Sequence, residues 1–210
     1  MILTLSQHND IKSRKFLLFF ILMRDKIYSV KKNCLEAYMA GYVIHLAVAE
    51  EYLKKTKIKE DYNEFINGVI FPDSVTDKKE THYGEKSNKV QLDKFLEDRK
   101  LDNSFNRGYF LHLVTDYIFY NKIFDTYSKD IYHDYDVLNS YLIEKYNVKL
   151  PKDIENQVHY IEGKLIILDK EKVEECIKIS ASMEIDDIEK EIKNPEYFDK
   201  WLKIRELKYI

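Results

Sequence analysis

The sequence predicts an all-α fold built as a single helical domain, and three observations support this prediction. The 210 residues include only 5 Gly and 3 Pro, fewer than the many turns of a β architecture require. Hydrophobic residues make up 45% of the chain and charged residues 34%, which is ordinary for a globular protein and excludes a fully disordered one. Apolar residues recur at steps of three and four over most of the chain, which is the period of an amphipathic helix.

The first half of the chain contains three predicted helices and a loop. A helical pattern covers residues 34–57. Residues 62–70 form a short apolar helix that ends before Pro72, because a residue ahead of proline is pushed out of the α region. Residues 73–90 are polar and are predicted to be a loop, and residues 91–98 are predicted to be a short helix.

The second half begins with the strongest predicted helix. Residues 107–127 are apolar on nearly all faces, which is typical of a helix at the centre of a fold. Helices over 129–147 and 151–167 follow, and Pro151 opens the second of them at a first-turn position. The tail, 169–208, is predicted to contain short amphipathic helices broken near Ser180–Ser182 and at Pro195.

Residues 1–38 are predicted to be an N-terminal extension to a helical domain of residues 39–210. The extension contains an apolar run, FLLFFILM at 16–23, that follows basic residues as the core of a signal peptide does. Charged residues come directly after the run, no small-x-small cleavage site is present, and the run is too short to span a bilayer. The alternatives are a buried segment of the fold or a biological start at Met39.

Charge and cysteine content exclude several classes of protein. Lys and Arg number 34 and Asp and Glu 37, so the net charge of −3 provides no overall field for nucleic acid or anionic lipid. Two cysteines, Cys34 and Cys176, cannot build a disulfide framework and fit a reducing compartment. We therefore predict a cytoplasmic protein without a nucleic-acid surface or a transmembrane segment, with secretion as the alternative.

The most informative pair of residues is His112 and Asp116. Their i, i+4 spacing within RGYFLHLVTD places both side chains on one face of the central helix. A buried carboxylate without a cation or donors is costly, and a divalent metal shared with the imidazole removes that cost. A buried Asp–His hydrogen bond with a structural role is an equal alternative.

Three further residues join this pair as candidate ligands. His45 lies in GYVIHL, which is echoed by GYFLHL around His112, with a Gly four residues before each His. A Gly within a helix costs about 1 kcal/mol relative to Ala, so the two glycines indicate close approach by another backbone or a bound group. Asp73 follows Phe71-Pro72, and His82 lies in THYG. Three His and two Asp would suit zinc, manganese or iron rather than a thiolate site.

The motifs GYVIHL, FPDSV, THYG and GYFLHLVTD, in this order over about residues 39–125, resemble the zinc-dependent phospholipase C family of the phospholipase C/D domain type, to which fungal single-strand nucleases are distantly similar. The resemblance implies an all-helical fold with a metal site between helices and hydrolysis of phosphoester or phosphodiester bonds by a metal-activated water. It implies metal ligation by His45, Asp73, His82, His112 and Asp116. Asp73 would also be catalytic, bridging two ions or acting as the base.

The chain departs from that family's pattern at three points. The N-terminal Trp ligand has no counterpart, since the single Trp is Trp201, and no His follows Asp116 at the family's spacing. The late His-x3-Glu pair is replaced by His159-x2-Glu162, and His133 is another candidate late ligand. We therefore expect one or two divalent ions rather than three, with a small phosphoester or a lipid head group as substrate.

Two other functions remain as alternatives. One is an HD-type metallophosphohydrolase, which the adjacent His133-Asp134 pair suggests although the surrounding motif set of that class is missing. The other is a non-enzymatic helical protein with a structural metal or a degenerate site. The sequence contains no P-loop, no dinucleotide fingerprint, no GxSxG and no HExxH.

Overall fold

The computed structural model describes residues 41–75 and 77–210. These residues contain nine α-helices and one pair of two-residue β-strands. The predicted all-α fold is therefore confirmed for this part of the chain. The N-terminal extension 1–38, the apolar run within it and the alternative start at Met39 lie outside the described residues. None of the described helices is long and apolar enough to cross a membrane.

The helices are, in chain order, α1 (Tyr42–Lys55), α2 (Tyr62–Ile70), α3 (Lys78–His82), α4 (Leu92–Asp98), α5 (Ser104–Ile118), α6 (Ile131–Tyr146), α7 (Lys170–Ala181), α8 (Ile185–Lys193) and α9 (Phe198–Leu202). A 3-10 turn at Phe71–Ser74 continues α2, and a π-helical turn at Phe119–Ile123 continues α5. The strands β1 (Thr126–Tyr127) and β2 (Lys208–Tyr209) pair in parallel, so the C-terminal segment is tied to the chain that follows α5.

Helix α5 lies at the centre of the core, as its apolar pattern predicts. Every residue from Arg107 to Ile118 is buried. Helix α5 packs most extensively against α2 and also against α7, while α1 packs against α6, α7 and α2. Polar side chains on the inner faces of these helices are therefore shielded from water. Electrostatic interactions between them are stronger in this interior than they would be in water.

Two glycines let α2 and α5 approach each other at backbone distance. A Cβ at Gly68 would lie 2.0 Å from the Phe105 carbonyl oxygen, and a Cβ at Gly108 would lie 2.0 Å from the Phe65 carbonyl oxygen. The close approach by another backbone that was expected near the candidate ligands is therefore present at Gly108. Gly41 acts differently: it precedes α1 with a φ of 88°, in the left-handed region that favours glycine.

The structure corrects the prediction that residues 73–90 form a loop. This stretch contains α3, which begins because the Asp77 side chain accepts a hydrogen bond from the Lys79 amide, and which ends at Tyr83 in the left-handed conformation. A 3-10 turn at Ser87–Lys89 follows it. Local capping by Asp77 therefore produced a helix in a stretch whose composition resembles a loop.

The predicted helix over 151–167 is also wrong. Among these residues only a 3-10 turn at Glu155–Gln157 is helical. The completely buried carboxylate of Asp134 accepts hydrogen bonds from the amides of Ile166, Ile167 and Leu168, at 2.7 to 2.8 Å. At this end of the segment the amides bond to a side chain on α6 instead of to helical carbonyls, so residues 166–168 do not continue a helix.

The other helices follow the sequence pattern with shifted boundaries. The helix predicted over 34–57 corresponds to α1, and its residues 34–40 lie outside the described residues. The predicted 107–127 helix ends at Ile118, where the π-helical turn begins. The tail is divided where the sequence indicated, because α7 ends at Ala181 and α8 ends ahead of the 3-10 turn at Pro195–Tyr197.

Candidate metal centre

Four separate elements bring the five predicted ligands into one buried cluster. His45 lies on the first turn of α1, Asp73 in the 3-10 turn after α2, and His82 at the end of α3; α5 contributes the other two residues. Each residue is at most 6% exposed: His45, Asp73, His82, His112 and Asp116. The fold therefore brings residues that lie up to 71 positions apart in the sequence into one buried cluster.

Three imidazoles converge on the carboxylate of Asp116. Its Oδ2 lies 3.2 Å from Nε2 of His82 and 3.5 Å from Nε2 of His112. Its Oδ1 lies 3.4 Å from Nε2 of His45. The ring of His45 stacks on that of His112, with centroids 3.7 Å apart and planes at 13°. Asp116 is therefore the common point of the cluster.

Backbone carbonyls fix the orientation of two of the rings. Nδ1 of His112 lies 2.8 Å from the Val69 carbonyl oxygen at the end of α2. Nδ1 of His82 lies 3.1 Å from the Lys78 carbonyl oxygen. A carbonyl only accepts, so each Nδ1 carries the proton and donates, and in the neutral ring Nε2 presents a lone pair. This is the second-layer arrangement typical of metal-bound histidines.

The Nε2 atoms of the two rings lie close to each other and to the same carboxylate. Nε2 of His82 and Nε2 of His112 are 3.3 Å apart, and both lie beside the ionised carboxylate of Asp116. Two lone pairs and a carboxylate in contact repel one another unless a proton or a metal ion lies between them. When both rings are neutral with the proton on Nδ1, Asp116 Oδ2 is buried with no hydrogen-bond partner among the described residues, as is Nδ1 of His45. An orphaned carboxylate oxygen in a core costs free energy that a cation would remove.

The three donor atoms His82 Nε2, His112 Nε2 and Asp116 Oδ2 have the spacing that a small divalent ion requires. Their separations are 3.3, 3.2 and 3.5 Å. Ligands at bond lengths of 2.0 to 2.1 Å around a tetrahedral zinc ion are separated by about 3.3 Å. The donor set therefore fits a divalent ion with N and O ligands, and three protein ligands leave a fourth coordination position.

A second group of donors shares one of these ligands. His45, Asp73 and His112 each offer an atom within 4.8 Å of the others. Oδ1 of Asp73 lies 3.7 Å from Nε2 of His82, so the two groups are adjacent. The ammonium of Lys78 contacts this same Oδ1 of Asp73. The sequence analysis did not identify Lys78, although its i, i+4 spacing to His82 was visible in the sequence.

The electrostatics of the cluster favour the protonation states that metal ligands need. Burial opposes ionisation of Asp116, but His112, His45 and His82 outweigh it and hold the pKa of Asp116 well below its usual value. Burial likewise opposes ionisation of Asp73, and Lys78 with the histidines lowers its pKa. Burial, assisted by His45, lowers the pKa of His112 to about 4. Both carboxylates are therefore ionised at neutral pH and His112 is neutral.

The pKa of His82 shifts in the opposite direction to that of His112. Burial works to lower the pKa of His82, but the carboxylates of Asp116 and Asp73 outweigh it and raise the pKa above the usual 6.5. A cation at the cluster would replace this proton, so metal binding at His82 releases a proton.

Three buried tyrosines lie near enough to the carboxylates of the cluster to be affected by their charge. Tyr120, in the π-helical turn, and Tyr135, on α6, are both buried, and burial raises the pKa of each, with a contribution from Asp116. Tyr42 is buried beside Asp73, and the pKa of its hydroxyl is raised by burial and by that carboxylate. These hydroxyls stay protonated and can donate. Of the three, the sequence pointed only to Tyr120 as a residue that could line a pocket, and a core role was favoured for it because rows of aromatic residues at helical spacing usually mark a core.

The candidate late ligands lie apart from the two groups of donors found among the described residues. His133 contacts the Lys164 carbonyl oxygen through Nε2 at 3.3 Å, and His159 and Glu162 are exposed. Asp134 uses both carboxylate oxygens for backbone amides, so the His133-Asp134 pair gives no support to an HD-type centre.

Comparisons with known proteins do not assign a family. No family model matches the chain, and neither the curated proteins nor the solved structures give a match. The case for function therefore rests on the geometry of the cluster.

Proposed function

We propose that the protein is a metal-dependent hydrolase of phosphoester or phosphodiester bonds, similar in its chemistry to phospholipase C. The observation that carries this proposal is the triangle of His82 Nε2, His112 Nε2 and Asp116 Oδ2, whose edges measure 3.2 to 3.5 Å. Three protein ligands with an open position are typical of catalytic rather than structural zinc.

A divalent ion at this triangle would lower the pKa of its bound water toward 7 and polarise a phosphoryl oxygen. The chain's own groups prepare the site. The carbonyls of Val69 and Lys78 fix the two rings so that both Nε2 atoms face the ion. Asp73 remains ionised beside His82, where its carboxylate can accept a hydrogen bond from the attacking water and orient it.

The substrate class follows from the charge of the centre. A divalent ion and the ammonium of Lys78 would together exceed the charge of the two carboxylates, which favours an anionic oxygen. A small phosphoester or the head group of a lipid meets this requirement. Both are proposals of substrate class.

One observation favours a second candidate, a protein in which the metal is structural. His45 stacks on His112 and places Nε2 at 3.4 Å from Asp116 Oδ1. If Nε2 of His45 joined the three donors as a fourth ligand, the coordination sphere would be closed, as in structural sites. Metal would then stabilise the fold without hydrolytic activity.

The two candidates differ in zinc-dependent turnover of bis(p-nitrophenyl) phosphate. The proposed hydrolase turns it over, His112→Ala abolishes both turnover and metal binding, and Asp73→Asn lowers the rate about 100-fold or more with metal retained. His159→Ala, which changes an exposed histidine, is the matched control and retains activity. Bound metal without turnover of any phosphoester tested would favour the structural candidate. Undiminished activity in His112→Ala would contradict the proposed site.

A further inference from the structure

The carboxylate of Asp73 is paired with a cationic side chain of the protein itself, the ammonium of Lys78. The Asp73 side chain is 4% exposed, and the ammonium of Lys78 contacts its Oδ1. The Lys78 side chain itself is 27% exposed, so it lies at the boundary between the cluster and solvent. A lysine in this position neutralises a buried carboxylate that would otherwise need a metal ion or donors.

The position of Lys78 is fixed by the same short helix that supplies a proposed ligand. Lys78 is the first residue of α3, and His82 is its last. The Lys78 carbonyl accepts the hydrogen bond from Nδ1 of His82 while the Lys78 ammonium contacts Asp73. One residue therefore orients a ligand of the first donor group with its backbone and neutralises a carboxylate of the second group with its side chain.

The second donor group depends on that carboxylate. His82, His112 and Asp116 form one group, and His45, Asp73 and His112 form the other. The two groups share His112, whose Nε2 lone pair can bind only one ion, so a second ion would be held by His45, Asp73 and water close to the first. An ion in the second group would also lie beside the Lys78 ammonium, and like charges at such distances in a buried site repel strongly.

The charges of the cluster are nearly balanced by one ion. The buried cluster holds two carboxylates, Asp73 and Asp116; Asp73 is paired with the ammonium of Lys78, and Asp116 lies against the imidazoles. The ammonium cancels one of the two negative charges. A single divalent ion then leaves an excess of one positive charge, which an anionic substrate or a metal-bound hydroxide would neutralise. A second divalent ion would leave an excess of three positive charges, which a buried site does not accommodate without further anions.

We propose that Lys78 takes the place of a second metal ion, so that the centre binds one divalent ion at His82, His112 and Asp116. This inference rests on the proposed metal site and extends it by fixing the number of ions and naming the residue that limits it. The Lys78 ammonium then provides the second positive group for a phosphoryl oxygen, where a two-metal centre would use an ion.

The test is the number of zinc ions that the full chain binds, measured by calorimetric titration and by elemental analysis after desalting. The wild-type protein is expected to bind one equivalent. Lys78→Met, which keeps the length of the side chain and removes its charge, is expected to bind two. Lys78→Gln is a second neutral variant with the same expectation, and Lys78→Arg, which keeps the cation, is expected to bind one.

Two further variants locate the additional ion. Lys79→Met changes the neighbouring exposed lysine of α3 and is expected to bind one equivalent, as the wild type does. Asp73→Asn combined with Lys78→Met is expected to lose the second equivalent again. Two equivalents in the wild type, or one equivalent in both folded neutral variants, would overturn the role of Lys78 and leave the proposed hydrolase intact. No bound zinc in a natively folded wild type would overturn the metal site itself, and this inference with it.

Discussion

Substitution of Gly68 by alanine tests whether the packing of α2 on α5 holds the centre in place. The new Cβ would lie 2.0 Å from the Phe105 carbonyl oxygen, and real Cβ atoms essentially never approach a heavy atom closer than 3.0 Å. The two helices must therefore separate by about 1 Å, because the obstacle is backbone and cannot rotate away. Overpacking of this kind costs about 1–3 kcal/mol, and a backbone obstacle favours the upper part of that range.

The same displacement reaches the metal centre directly. The next residue, Val69, accepts the hydrogen bond from Nδ1 of His112 at 2.8 Å. A separation of the helices would lengthen or break this bond and release the ring. Loss of such an orienting contact typically lowers metal affinity 10- to 100-fold. Gly68→Ala is therefore expected to weaken zinc binding by about this factor, although Gly68 is not a ligand.

The assay combines a urea unfolding curve of the metal-free protein with a competitive zinc titration of the folded protein. Gly163→Ala is the matched control, since its Cβ would meet only ordinary contacts of 3.5 Å or more, at Val137 and His133. The control should change stability by no more than about 0.5 kcal/mol and leave zinc affinity unchanged. A Gly68→Ala protein with the stability and the zinc affinity of the wild type would refute the reasoning.

Three further predictions concern other parts of the structure. Glu60→Gln weakens a buried ion pair in which Arg107 Nε lies 2.5 Å from Glu60 Oε1. In urea unfolding it should lower the free energy of unfolding by about 1.5–3 kcal/mol and leave zinc affinity intact. Stability equal to that of the wild type would contradict the pairing. Burial raises the pKa of Cys176 to about 12. In a Cys34→Ser background this thiol should therefore react with Ellman's reagent only after unfolding. Rapid reaction of the native protein at pH 8 would contradict this prediction. The two carboxylates of the metal centre have a folded-state pKa below the ordinary 3.8, so the stability that they contribute is present above about pH 4 and is lost as the pH falls further. Urea midpoints of the metal-free protein at pH 5 and pH 3 check this, and equal midpoints would contradict it.

The sequence predicted the residues of the cluster better than their contacts. The i, i+4 spacing of His112 and Asp116 requires one helix face, so this pair could be derived from helical geometry alone. The contact between Val69 and His112 depends on how closely α2 crosses α5. That distance is set by Gly68 and Gly108 acting together from two helices, and a single-helix pattern carries no such information.

The errors in secondary structure have local physical causes. In the stretch 73–90, the hydrogen bond from the Lys79 amide to Asp77 starts a helix within a polar segment. Without that helix, Lys78 would not face Asp73, and this is why the sequence analysis missed the lysine. At the end of the stretch 151–167, Asp134 accepts hydrogen bonds from the amides of Ile166, Ile167 and Leu168, which lie more than thirty positions further along the chain. Local propensity cannot anticipate such a tertiary contact.

The central claim is that His82, His112 and Asp116 hold one divalent ion. Elemental analysis of zinc-loaded, desalted protein without a histidine tag tests it most directly, with the wild type and His112→Ala measured side by side. The account predicts one equivalent of zinc in the wild type and none in His112→Ala, with matching circular dichroism spectra. No zinc in a folded wild type, or the same zinc content in both proteins, would contradict it.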